Sequence, residues 1–108
     1  MRVLLDECVT HELRTLVTGH DVYTVAYLGW SGTRNGQLIA RAAGEGFDAL
    51  VTTDKNIRHQ VSEGTLPIPV IILDVLTNDI DDVLPTLPAL LAVLSAPVAA
   101  RFHVVQGP

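Results

Sequence analysis

Cysteine is nearly missing from this chain, with Cys8 the only one among 108 residues. No intrachain disulfide can form, a cysteine-rich zinc cluster is excluded, and a reducing compartment is the expected setting. Long hydrophobic runs are lacking as well. Pro69 to Leu73 and Leu87 to Leu94 fall well short of the roughly 18 apolar residues that a membrane-spanning helix needs. Val3 to Leu5 meets Asp6-Glu7 too early to form the core of a signal peptide. The expectation is a cytoplasmic protein with no membrane contact. Positive charge is also scarce: 7 Lys/Arg against 12 Asp/Glu give a formal net charge of −5. That balance excludes a protein that coats nucleic acid through a broad basic face.

The charge is unevenly placed. Residues 1–60 hold six basic residues (Arg2, Arg14, Arg34, Arg41, Lys55, Arg58) against seven acids, giving −1, while residues 61–108 hold Arg101 against five acids, giving −4. A nucleic-acid substrate is compatible with the near-neutral first part, and a bound divalent cation would add positive charge locally. An apolar content of 48% is enough to bury a core without staples, and the length suits one domain spanning residues 1–108. No repeat, low-complexity tract or linker-like run divides it.

Strands and helices alternate along the chain. Arg2 to Leu5 reads as a strand, followed by a helix from about Thr10 to Val17 that stops at Gly19. Asp21 to Val25 is β-branched and aromatic and suits a second strand. A glycine-rich loop then leads into a helix from about Asn35 to Ala43. Ala49 to Thr53 is a near-continuous apolar strand, as expected for one covered on both faces. A short helix from Lys55 to about Ser62 follows, and then Pro69 to Leu73, with proline at the first position, where no ladder donor is lost. From Ile80 to Leu94 apolar residues recur at helical spacing, and Pro85 and Pro88 must kink or divide that helix. Arg101 to Val105 offers an edge strand. The alternation predicts an α/β fold with right-handed crossovers and a mainly parallel sheet of four or five strands.

Three of these strands end in the same way, an apolar run followed by aspartate: Leu5-Asp6, Thr53-Asp54 and Leu73-Asp74. In a parallel sheet all three carboxylates lie at the carboxyl edge, where open α/β folds place ligands, above all where the winding reverses between the first and third strands. Asp6 and Asp54 would then be neighbours. Two close carboxylates repel unless one takes a proton or a cation lies between them, and Mg²⁺ or Mn²⁺ prefers such hard oxygen ligands.

At these residues the chain resembles the PIN-like nuclease domains of the DUF5615 group, relatives of the VapC toxins. The resemblance covers residues 1 to about 95. It is carried by Leu4-Leu5-Asp6-Glu7, by Gly19-His20-Asp21-Val22, by Gly29-Trp30-Ser31-Gly32 before Asn35-Gly36-Gln37-Leu38-Ile39, and by Leu50-Val51-Thr52-Thr53-Asp54 with Lys55-Asn56. It implies a three-layer α/β/α fold and a metal-dependent ribonuclease, with Asp6 and Asp54 as ligands to Mg²⁺ or Mn²⁺ and Glu7 close by. It also implies a toxin role, with RNA as substrate and a small antitoxin as partner. Similar chains place an acid in the second helix where this one has Gln37, whose neutral amide oxygen is a weaker ligand. If the site hydrolyses a phosphodiester, Glu7 orients water or holds a second metal, and Lys55, Arg58 and Arg34 are near enough in sequence to contact phosphates.

Plainer roles compete for several residues. An aspartate after a strand is ordinarily a cap or turn residue, and Asp74 is read so. His11 and His59 have no positioned partner in the sequence and are read as surface or helix-end histidines. Cys8, beside two acids, is read as a small hydrophobe. Tyr27 and Trp30 suit either core packing or base stacking, and the leucine-rich C-terminal helix suits the core or a homodimer face. Two other functions stand beside the ribonuclease. One is a binding module that keeps the fold with a weakened site, motivated by Gln37 and the acidic balance. The other is a phosphoacceptor receiver, which needs a lysine after a late strand and here has Lys55 alone, directly after the candidate aspartate.

Overall fold

A strand that is apolar on both faces needs cover on both sides, and that need organises this chain. The computed structural model describes residues 1–108. Its strands are β1 (Arg2–Leu5), β2 (Asp21–Thr24), β3 (Ala49–Thr52), β4 (Val70–Leu73) and β5 (Phe102–Val105), in the order β2-β1-β3-β4-β5. All four pairings are parallel, so the sheet expected to be mainly parallel is wholly so, and the C-terminal edge strand is present.

The period-2 alternation of strand side chains splits the core in two. Val3, Leu5, Val51, Ile71 and Leu73 point to one face, where they meet Leu13, Val83, Leu90 and Leu94. Leu4, Leu50, Val70 and Ile72 point to the other, where they meet Trp30, Leu38, Ile39 and Ile57. The result is three layers, helix on sheet on helix, as expected. No helix is long and apolar enough to cross a membrane.

Four helices cover the sheet: α1 (Asn35–Gly44), α2 (Ile57–Gln60), α3 (Ile80–Val83) and α4 (Leu87–Leu94). α1 ends in a Schellman motif, in which Phe47 N–H bonds the Ala42 carbonyl at 3.0 Å and Gly46 N–H bonds that of Ala43 at 3.1 Å. That turn sets Gly46 at φ +82°, a conformation glycine adopts without steric penalty. The prolines divide the last helix as expected. Pro85 falls in a 3₁₀ turn, Leu84–Thr86, and Pro88 in the first turn of α4, where its missing donor has no intrahelical role.

Two helices are shorter than the sequence suggests. The first shrinks to a 3₁₀ turn over His11–Thr15, with no side-chain cap at Thr10. Thr15, Val17 and Thr18 are β-branched and lower its helix propensity. α2 starts late because Asn56 N–H bonds Asp54 Oδ1 at 2.9 Å, an Asx turn, and it stops where Val61 turns extended.

The last crossover departs from the others. β3 to β4 and β4 to β5 step in the same direction along the sheet. The first passes over the face of Ile57 and Leu66, whereas the second passes over the face of Val83, Leu90 and Leu94. Two such connections have opposite hands, so crossovers are not uniformly right-handed here. Cover explains the exception. Without α3 and α4, only the His11–Thr15 segment would shield Val51, Ile71 and Leu73 on that face. Exposing each such side chain costs about 1.5–3 kcal/mol, so three of them rival the ~5–15 kcal/mol that holds a domain together. Burial outweighs the handedness preference.

Candidate active site

The reversal of winding at β1 puts β1 and β3 side by side, and their carboxyl ends carry Asp6 and Asp54. Asp6 is 8% exposed. Its backbone N–H continues the ladder to the Val51 carbonyl at 2.9 Å. Its carboxylate accepts bonds from Glu7 N–H at 2.9 Å and from the Thr52 hydroxyl at 3.0 Å. The Thr52 hydroxyl in turn accepts the Asp54 N–H at 3.0 Å. One hydroxyl therefore joins the two acid-bearing turns.

Only three polar or charged residues are buried, Asp6, Thr52 and Thr86, and the first two meet here. Burying a carboxylate is costly unless it is bonded, and no buried side-chain polar atom of this protein lacks a partner. Cys8 belongs to the same cluster. Its Sγ lies 3.3 Å from the Thr52 hydroxyl and 3.7 Å from Asp6 Oδ2, so it is half-buried, packed against the core on one side and joined to the polar edge on the other.

The Asp54 carboxylate accepts Asn56 N–H at 2.9 Å and the Asn35 amide at 3.4 Å. Asn35 also donates to Gln60 Oε1 at 2.5 Å and so ties the start of α1 to the end of α2. Glu7 Oε1 accepts the Gly32 N–H at 3.0 Å. Gly32 sits at φ +82°, where a side chain would be strained. Glu7 and Gln37 line one groove of about 680 Å³ with Arg34, Asn35 and Gln60, and no hydrophobic residue joins them. A smaller cavity of about 320 Å³ takes in Asp6, Glu7, Cys8 and Asn78.

Of the residues singled out from the sequence, Asp6, Glu7, Asp54, Arg34 and Gln37 gather around this edge. Lys55 turns away, placing its ammonium 2.6 Å from Asp74 Oδ1. Gln106, just past β5, donates to the other Asp74 oxygen at 2.9 Å. The hydrogen bond from Lys55, with that from Gln106, holds the Asp74 carboxyl below its ordinary value of 3.8, and the charge of Arg58 acts in the same direction. Lys55 and Arg58 thus belong to a second cluster, beyond β4. The position after β5, where a receiver would need its lysine, holds Gln106. Thr52, Asn35 and Gln60 went unpredicted as site residues. Thr52 had one available signal, a hydroxyl at the end of an otherwise apolar strand.

No three His, Cys, Asp or Glu side chains converge closely enough to hold a metal ion among themselves. Mg²⁺ does not demand such a cage. It keeps several waters and is bound through one or two carboxylates plus substrate phosphate. Asp6 and Asp54 supply that donor chemistry: Asp6 Oδ1 and both Asp54 oxygens each accept one protein bond and keep a lone pair, while Asp6 Oδ2 accepts the Thr52 hydroxyl and the Cys8 thiol. Asn35 and Gln37 add neutral amide oxygens. The residues fit a hard divalent ion held with few protein ligands. Compared with protein-family models, with curated proteins and with solved structures, the chain matches none.

Proposed function

We propose that the chain is a metal-dependent ribonuclease of PIN-like type and the toxin of a toxin-antitoxin pair. The observation that supports the chemistry is the buried Asp6 carboxylate, coupled through the Thr52 hydroxyl to the turn that carries Asp54. The toxin role and its antitoxin partner rest on the resemblance of the motifs alone.

In this reading Asp6 and Asp54 hold Mg²⁺ or Mn²⁺, which when bound polarises a phosphoryl oxygen and acidifies the attacking water. Thr52 and the Glu7 N–H fix the Asp6 carboxylate in one rotamer, and the Asx turn at Asn56 does the same for Asp54, so little reorganisation is needed when substrate arrives. Glu7, fixed through Oε1 by Gly32, keeps Oε2 free of hydrogen bonds to orient water or take its proton. Arg34, on the same groove, is placed to contact a phosphate. Lys55 reaches a phosphate only by leaving Asp74.

Two observations favour a second reading, a binding module with a weakened site: the neutral amide of Gln37 on the Glu7 groove, and the net charge of −5. One assay separates the two. Purified protein is incubated with an unstructured RNA pool and Mg²⁺ or Mn²⁺, with EDTA and Asp6→Asn as controls. Cleavage that EDTA and Asp6→Asn both abolish is expected. An Asp6→Asn protein that folds and remains as toxic in cells as the parent would instead establish the binding module.

A further inference from the structure

We propose that a single-stranded stretch of polynucleotide lies along the free outer edge of β2, with a base stacked on Tyr27 and its backbone against Arg14 and His20. The ribonuclease reading supplies RNA as the polymer, and the proposal rests on it to that extent. β2 is an edge strand, and beside it runs a groove of about 790 Å³, bounded by His11 and Arg14 from the 3₁₀ turn, by His20 and Tyr23, and by Tyr27.

Tyr27 is 77% exposed, whereas Trp30 and Phe47 are buried and Tyr23 and Phe102 half-buried. The loop after β2 therefore sends its tryptophan into the core and its tyrosine outward. The Tyr27 ring leans on Tyr23, with centroids 6.3 Å apart and planes 43° apart. Tyr23 packs edge-on against Phe47. Tyr27 is thus braced on one side and open on the other, as a stacking platform for a base requires.

The cations are selective in the same way. Arg2 lies over the rings of Phe47 and Tyr23, Arg41 lies over Trp30, and Lys55 is paired with Asp74. None of the six arginines has a carboxylate within salt-bridge distance, and among those that also lie over no ring, Arg14 and Arg34 line the grooves described. They line different grooves, one on each side of Asp6. Asp21 is the one acid on the β2 groove, against Arg14 and the ring N–H groups of His11 and His20. A protein with net charge −5 that keeps two guanidinium groups unpaired around its candidate site is suited to a polyanion.

Continuity ties the groove to the chemistry. His11, Thr24 and Ala26 line both the β2 groove and the cavity at Asp6, and Glu7 lines both that cavity and the groove of Arg34. A single strand entering past His20 and Arg14 runs along the β2 edge to Tyr27, crosses the carboxyl edge at Asp6 and leaves past Arg34. The interior of a duplex does not fit, since both faces of each base are already stacked on its neighbours and none is left for Tyr27.

The test measures binding apart from cleavage. A labelled, unstructured single-stranded RNA is titrated with protein in EDTA, and anisotropy is read for wild type, Tyr27→Ala, Tyr27→Phe and Arg14→Ala. Tyr27→Ala should weaken binding by about tenfold, within the range of base-aromatic stacking, and Tyr27→Phe, which keeps the ring, should bind as wild type. Arg14→Ala should flatten the dependence of log K on log salt by about 0.7, one phosphate contact on a single strand. The fold is not at risk, because the Tyr27 ring is exposed and the bond from its N–H to the Thr24 hydroxyl, 3.1 Å, is backbone-borne.

RNA binding indifferent to both Tyr27→Ala and Arg14→Ala, or no RNA binding at all, would overturn the proposal. Indifference is also the outcome expected if the β2 edge instead pairs with a peptide strand. Tyr27-dependent binding by a protein that cleaves nothing in Mn²⁺ would end the ribonuclease reading and leave the subsite standing. Cleavage untouched by Tyr27→Ala would do the reverse.

Discussion

Thr52→Val changes one hydroxyl to a methyl and leaves the shape of the side chain almost intact. Thr52 is fully buried, so no cavity opens and no rotamer need change. Three polar contacts are lost: the donation to Asp6 Oδ2 and the acceptance from Asp54 N–H, each 3.0 Å long, and the weaker contact with Cys8 Sγ at 3.3 Å. A hydrogen bond to a charged group contributes about 1.5–3 kcal/mol, and an unpaired buried donor costs about 1–3 kcal/mol. Asp54 is partly exposed, which places the second cost at the low end of its range. The expected destabilisation is about 3 kcal/mol, a large fraction of the ~5–15 kcal/mol typical of a domain. For a chain of this size it corresponds to a fall of about 15 °C in Tm. Urea unfolding followed by circular dichroism measures it, with an unchanged m-value as evidence that only the native state is affected. Thr52→Ser keeps the hydroxyl and loses one methyl, so it should cost only ~1 kcal/mol. If valine costs under about 0.5 kcal/mol, or serine as much as valine, the hydroxyl does not hold the two turns together and the reasoning about the site fails with it.

Two further outcomes are expected. Because Asp74 titrates below 3.8 in the folded chain, chiefly through its bond from Lys55, its contribution to stability is present above the unfolded value and is lost as pH falls through the folded one. Lys55→Met should move the Asp74 carboxyl back toward 3.8 in a ¹³C NMR titration and flatten the loss of stability below that pH; an unmoved titration refutes the pairing. Gln37→Glu adds a carboxylate to the groove that holds Glu7. It should tighten Mn²⁺ binding by about tenfold, the ~1.4 kcal/mol scale of one added charge at a water-like dielectric, with paramagnetic broadening centred on residues 5–8 and 53–55. Broadening centred elsewhere would remove the metal from this edge.

Strands were the most legible part of the fold, since Val3-Leu4-Leu5, Ala49-Leu50-Val51 and Val70-Ile71-Ile72-Leu73 are short apolar runs with punctuation on both sides. The helices at Thr10 and Lys55 were over-read, because a pattern of apolar residues does not reveal that β-branched neighbours or an Asx turn shorten them. The hand of the last crossover was beyond reach. It depends on which face of the finished sheet lacks cover, and no single segment carries that information. Within the site, the adjacency of Asp6 and Asp54 followed from parallel strands whose winding reverses between the first and third. The Thr52 bridge did not, because its partner Asp6 is 46 positions away and hydroxyl direction has no signature in sequence. Lys55 illustrates the converse. It neighbours Asp54 in sequence and yet bonds the carboxylate beyond the next strand, because consecutive residues leaving a strand diverge. Tyr27 and Trp30 were equivalent on paper, and only burial sorted one into the core and the other onto the surface.

The reversed final crossover has a consequence for how the molecule is made. As the chain emerges from its N-terminus, the layer of α1 and α2 is complete once β4 has formed, while the opposite side of the sheet waits for residues beyond 80. A chain ending at Asp74 is a plate finished on one side and covered on the other by the His11–Thr15 segment alone, with the outer rim of β4 open to any strand that meets it. Leu90 and Leu94 seal the less covered side, β5 zips onto β4, and the Asp74 N–H finds the Val105 carbonyl at 2.8 Å. The last thirty or so residues act as a latch on the whole domain.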